Sequence, residues 1–144
     1  MYKKILVALD LSNDSNKVVD TAIHMAGNDA SKLHLVHVVE PVAAAYSMDI
    51  YAVNINELQQ EAISLAEKRL EKLGAEKGVS SDKIHTLLGA PAPEIRSLAD
   101  EVGADAIVIG SHGFSGKKRM LGATANKLLH GAKCDILTVH ATET

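Results

Sequence analysis

The chain has 144 residues, 47% of them apolar and 23% charged, and a formal net charge of −3. That length suits a single domain covering 1–144 with a core of its own, and the lone cysteine, Cys134, excludes an internal disulfide. The mild negative charge argues against non-specific binding to nucleic acid or an anionic membrane, and no run reaches the roughly 18 apolar residues of a membrane helix.

The first apolar run, residues 5–9 (ILVAL), reads as a strand buried on both faces. It ends at Asp10, too soon for a signal peptide, so the expected location is the cytoplasm. Ser12, Asn13, Asp14 and Ser15 are capping types, and Val18, Val19, Ala22, Ile23 and Ala26 then share a helical face that stops at Gly27 and Asn28. Residues 33–39 (LHLVHVV) form a second strand, in which His34 and His37 fall on opposite faces and so cannot grip one ion. The connection over 40–56 is long and carries Tyr46, Met48, Ile50 and Tyr51, a composition suited to covering a pocket or a partner, or to a short packed turn.

Residues 57–73 predict a helix with Leu58, Ala62, Leu65, Ala66, Leu70 and Leu73 on one stripe and Gly74 as its stop. The third strand, 84–88, is ended by Gly89, Ala90 and Pro91. Pro93 fits the first turn of a helix that carries Ile95, Leu98, Ala99 and Val102 inward and closes at Gly103. A fourth strand, 106–109, leads into a loop with Gly110, Gly113, Gly116 and Gly122. A helix follows from about Met120 to His130, with Ala125, Leu128 and Leu129 apolar, and residues 134–139 form the fifth strand. Alternating strands and helices joined by right-handed crossovers make a doubly wound α/β fold with a parallel sheet. The order is either 3-2-1-4-5 or 2-1-3-4-5; the first sets Asp10 beside Gly110 at the switch point, where open sheets bind ligands.

The loop over 110–122 can cradle phosphates with its N–H groups, and Ser111, Ser115 and Thr124 can add hydroxyls. Asp10 can accept from a ribose or an adenine edge, or hold Mg²⁺ beside a phosphate. Lys117, Lys118 and Arg119 can neutralise a phosphate tail or form a wet basic face. There is no GxxxxGK[ST], no GxGxxG after the first strand and no GxSxG. His112 lies in the loop without an orienting partner in view, and fits a place near phosphate better than a general base.

The segments YKKILVALDLS, HVVEP, GAPAPEI and VIGSHGFSGKKRMLGATANKLLHGAKCDILTV resemble the universal stress protein A family over essentially the whole chain. The resemblance implies a five-stranded parallel sheet in the order 3-2-1-4-5 with helices on both faces. It also implies a homodimer joined through the last strand, residues 134–139, which open on Cys134 and end on Val139. One branch of the family binds ATP or AMP through a G-x2-G-x9-G-[ST] loop; another lacks that loop and acts without nucleotide, through protein contacts. The carry-over places Asp10 near adenosine, Val38 with its backbone at adenine, Gly89 and Pro91 at the third-strand turn, and Gly110, Gly113 and Gly122 as the three loop glycines. Ser111, His112, Ala123 and Thr124 complete the expected site, with ATP or AMP, and Mg²⁺, as cofactors. Two departures stand out: eight residues rather than nine separate Gly113 from Gly122, and Ala123 stands where Ser or Thr is expected. The resemblance supplies no catalytic residue set; slow ATP hydrolysis or autophosphorylation is the only turnover it leaves open.

Overall fold

The computed structural model describes residues 1–41, 54–111 and 123–140. Its elements are β1 (Ile5–Ala8), α1 (Ser15–Met25), β2 (Leu33–Val39), α2 (Ile55–Lys77), β3 (Ile84–Leu88), α3 (Pro91–Val102), β4 (Ala106–Gly110), α4 (Ala123–Gly131) and β5 (Asp135–Val139). All four strand pairings are parallel, and the order is β3-β2-β1-β4-β5. Of the two orders the periodicity allowed, this is the one that pairs the first and fourth strands, with Ala8 opposite Ile109.

Side-chain alternation along the strands splits the core in two. Ile5, Val7, Leu9, Leu33 and Leu35 meet Val18, Val19 and Ala22 of α1 and Leu70 and Leu73 of α2. Leu6, Ala8, Val36, Val38, Ile107 and Ile109 meet Ile95 and Leu98 of α3 and Ala125 and Leu128 of α4. Strands buried on both faces need apolar residues at every position, which is why β1 and β4 read as unbroken apolar runs. At the strand starts, Asp105 accepts from the backbone N–H groups of Lys3 and Lys4 at 2.9 and 3.1 Å, and Tyr2 donates to Asp135 at 2.7 Å.

Three expectations need correction. The apolar stripe expected on α2 is buried only in its C-terminal half: Ala66, Leu70 and Leu73 are buried, whereas Leu58 and Leu65 are 51% and 57% exposed. The reason is direction: at 3.6 residues per turn Leu58 and Leu65 share a face about 100° round the helix from Ala66, Leu70 and Leu73, and only the latter face meets the sheet. Gly74 is not a stop: α2 runs on to Lys77 and is capped by Gly78 in the left-handed conformation, φ 81°. Gly74 instead marks close approach, since a Cβ there would lie 2.3 Å from Ile84 Cδ1. On α4, Leu129 is 51% exposed, and Thr124 takes an inward place beside Ala125 and Leu128.

Candidate functional site

The crevice is built where β1 leaves the sheet. Ala8 pairs with Val36, and Leu9 N–H still donates to Val36 C=O at 2.9 Å. The chain then turns away. Asp10 Oδ1 accepts Ser12 N–H at 2.9 Å, and Leu11 sits in the left-handed region at φ 61°. A parallel ladder would next join Val38 N–H to Leu9 C=O and Leu11 N–H to Val38 C=O. Neither bond forms. Leu9 C=O instead accepts from His37 Nδ1 at 2.7 Å, and Leu11 C=O accepts from Arg69 Nη2 of α2 at 2.8 Å. The Val38 side chain packs into the α3–α4 core and the residue as a whole is 2% exposed, so what it can offer a ligand is its backbone, whose donor and acceptor both face the gap left by β1.

Neighbouring strand ends complete the surroundings. Gly89 N–H donates to Val39 C=O at 3.0 Å and holds the β3–α3 turn against β2. Pro91 opens α3, where its missing N–H costs nothing. Glu40, Ala90, Pro91, Pro93, Ala123, Thr124 and Lys127 wall a cleft of about 240 Å³ between the β3–α3 turn and the start of α4. Glu40 and Lys127 give that cleft one charge of each sign. Ala123 is exposed and Thr124 is buried at 8% exposure.

Asp10, Val38, Gly89 and Gly110 therefore lie at the C-terminal ends of four neighbouring strands, with Ser111 one residue beyond. Pro91, Ala123 and Thr124 are joined by the cleft. His112, Gly113 and Gly122, with Gly116, Ser115 and the Lys117–Lys118–Arg119 run, lie outside the described residues, as do Tyr46, Met48, Ile50 and Tyr51. Ser111 N–H donates to Val139 C=O at 2.8 Å, so this amide is taken up by the β4–β5 ladder and the ligand role expected of Ser111 falls to its hydroxyl. Gly110 is not demanded by crowding from its described neighbours, since a Cβ there would meet Val18 at an ordinary 3.6 Å.

Sequence reading passed over His37 as a support, Arg69, Glu40 and Lys127. For His37 a signal exists: a polar ring in an otherwise aliphatic strand needs a partner when buried. Arg69 carries none, because it meets Leu11 across 58 positions. The two strand histidines do face opposite ways. His34, on the α3 side, lies 3.0 Å from His85 with the rings stacked 5.3 Å apart. Burial holds both rings below the ordinary histidine range, and for His34 the neighbouring His85 adds to the effect. Among the described residues no group of three or more His, Cys, Asp or Glu could hold a metal ion, and no helix is long and apolar enough to cross a membrane.

Comparison with known proteins agrees with this architecture. The model of the universal stress protein family matches residues 1–140. Universal stress protein A homolog 1 of Coxiella burnetii is 39% identical over 143 residues, covering 99% of each chain. The solved structure of MJ0577 is 25% identical, with a TM-score of 0.82 over 100% of this chain and 99% of that one. A universal stress protein solved in complex with cAMP is 26% identical, with a TM-score of 0.66 over 98% and 99% of the two chains. By its strand order, its switch-point crevice and these relatives, the chain belongs to the universal stress protein family.

Proposed function

We propose that this chain binds an adenosine phosphate, ATP or AMP, in the crevice at the C-terminal ends of β1, β2 and β4, and acts in the cytoplasmic stress response as a dimer. The observation that carries the reading is the opened ladder at Val38. One backbone donor and one acceptor, side by side, match the N1 acceptor and N6 donor of an adenine edge. Asp10 stands next to them, with Oδ1 engaged by Ser12 and Oδ2 without a hydrogen bond among the described residues, where a ribose hydroxyl can donate to it. The complex of a 26% identical relative with cAMP supports an adenine ligand. The dimer reading is supported by β5, which among the described residues is an edge strand with one side open to pairing, and whose Leu137 is 37% exposed.

Calorimetric titration of the purified protein with ATP and AMP, with and without Mg²⁺, tests the nucleotide reading. Saturable one-site binding is expected; no heat at millimolar nucleotide overturns it. The rival reading, a nucleotide-free stress protein acting through protein contacts, draws on Ala123 opening α4 without a hydroxyl. It predicts an intact dimer and no small molecule released on denaturation, which mass spectrometry of the denatured protein decides.

A further inference from the structure

We propose that His37 and Arg69 are positioning residues for the crevice: by holding the carbonyl oxygens on either side of Asp10, they keep β1 from zipping further onto β2. The ligand role of the crevice rests on the adenosine-phosphate reading above; the bracket itself does not.

The two contacts come from separate elements and converge on three residues. His37 projects from β2 and donates Nδ1–H to Leu9 C=O at 2.7 Å, since a carbonyl only accepts. Arg69 projects from α2 and donates to Leu11 C=O at 2.8 Å. Between them Leu11 holds φ at 61°, which is unfavourable for a residue with a Cβ and persists only where surroundings over-determine it. Leu11 also packs against the α1–α2 core, which helps to hold it there. Ring and guanidinium take both carbonyls that flank Asp10, and the first of these is the one that would have bonded Val38 N–H. A donor and an acceptor at Val38 and a carboxylate oxygen at Asp10, all without a hydrogen bond among the described residues, are thus three results of one arrangement. Without it, extending the ladder would satisfy Val38 internally and turn Asp10 out of the crevice.

The test uses the full chain and two readouts. In nucleotide-free protein, Val38 amide exchange by NMR is compared in wild type, His37→Leu, Arg69→Met and His37→Asn. Asn offers an amide N–H near the place of Nδ1. The bracket predicts that Val38 exchanges about tenfold or more slowly in His37→Leu and Arg69→Met, as an added ladder bond protects it, and at the wild-type rate in His37→Asn. Unchanged exchange in both disruptive variants overturns the proposal, whether or not wild type binds nucleotide. Where wild type binds ATP, Arg69→Met, an exposed position that leaves the core intact, weakens binding by roughly tenfold. The same change in an Asp10→Ala background alters it less than about twofold. An equal loss in both backgrounds means that Arg69 does not act through Asp10 and also overturns the assignment. Absence of ATP binding in wild type fails the function reading alone.

Discussion

Substituting Gly74 separates two opposing effects of known size. A helix-interior Gly→Ala change gains about 1 kcal/mol from backbone entropy. Here the new methyl would lie 2.3 Å from Ile84 Cδ1 and 3.3 Å from Cγ1, against an ordinary carbon contact of about 3.5–4.0 Å. Overpacking of this kind costs about 1–3 kcal/mol. The crowding atom is the tip of a half-buried side chain on an edge strand, which can swing aside in part, so the lower half of that range applies. Gly74→Ala should therefore destabilise the protein by up to about 1 kcal/mol in place of stabilising it by that amount. Removing Cδ1 with Ile84→Val should reverse the sign, making Gly74→Ala stabilising by about 0.5–1 kcal/mol in that background. Urea denaturation followed by far-ultraviolet circular dichroism, with the four proteins as a cycle, measures the difference. A Gly74→Ala effect of the same sign and size in both backgrounds refutes the close-approach argument.

The His34–His85 pair makes stability depend on pH. Both rings are held below the ordinary value of 6.5 in the native state, so the unfolded chain takes up protons first as pH falls. Their contribution is complete above about pH 6.5 and is lost as pH falls through their lowered native values. Urea midpoints between pH 8 and pH 5 should drop less steeply in His85→Gln than in wild type; parallel curves would contradict the assignment. Leu65→Glu, on the outward face of α2, should change stability by less than about 0.5 kcal/mol, whereas Leu70→Ala in the core should cost about 2–5 kcal/mol. Chemical denaturation of the two variants side by side checks the corrected helix face. Thr124→Ala should weaken adenosine-phosphate binding by roughly two- to tenfold and Thr124→Ser should restore most of it, read by the same calorimetric titration.

The pairing of β1 with β4, which puts the strand ends that carry Asp10 and Gly110 side by side, was legible because it needs only strand polarity and sheet order, and unbroken apolar runs mark both strands as central. The resemblance then selected the order that periodicity had left open. Residues whose role depends on one local angle or one long reach were not legible. Leu11 looks like any leucine until its φ is known, and Arg69 looks like any wet-face cation on a helix. Periodicity also misread α2, because it registers two apolar stripes and cannot say which of them meets the sheet. Leu58 and Leu65 follow one stripe; Ile63, Ala66, Leu70 and Leu73 follow the other, which faces the core. Gly74 and Gly78 are the same letter with different tasks, contact in one case and backbone handedness in the other.

The strand order has a consequence for how the molecule is made. Ile5 is paired with Ala106, 101 positions later, so a strand translated long before its partner becomes the middle of the sheet. A nascent chain truncated before β4 leaves β1 with an open flank of apolar residues and a large loop-closure penalty still ahead. That flank cannot be covered until β4 has been translated, which makes the interval between the two strands the one of greatest exposure to self-association.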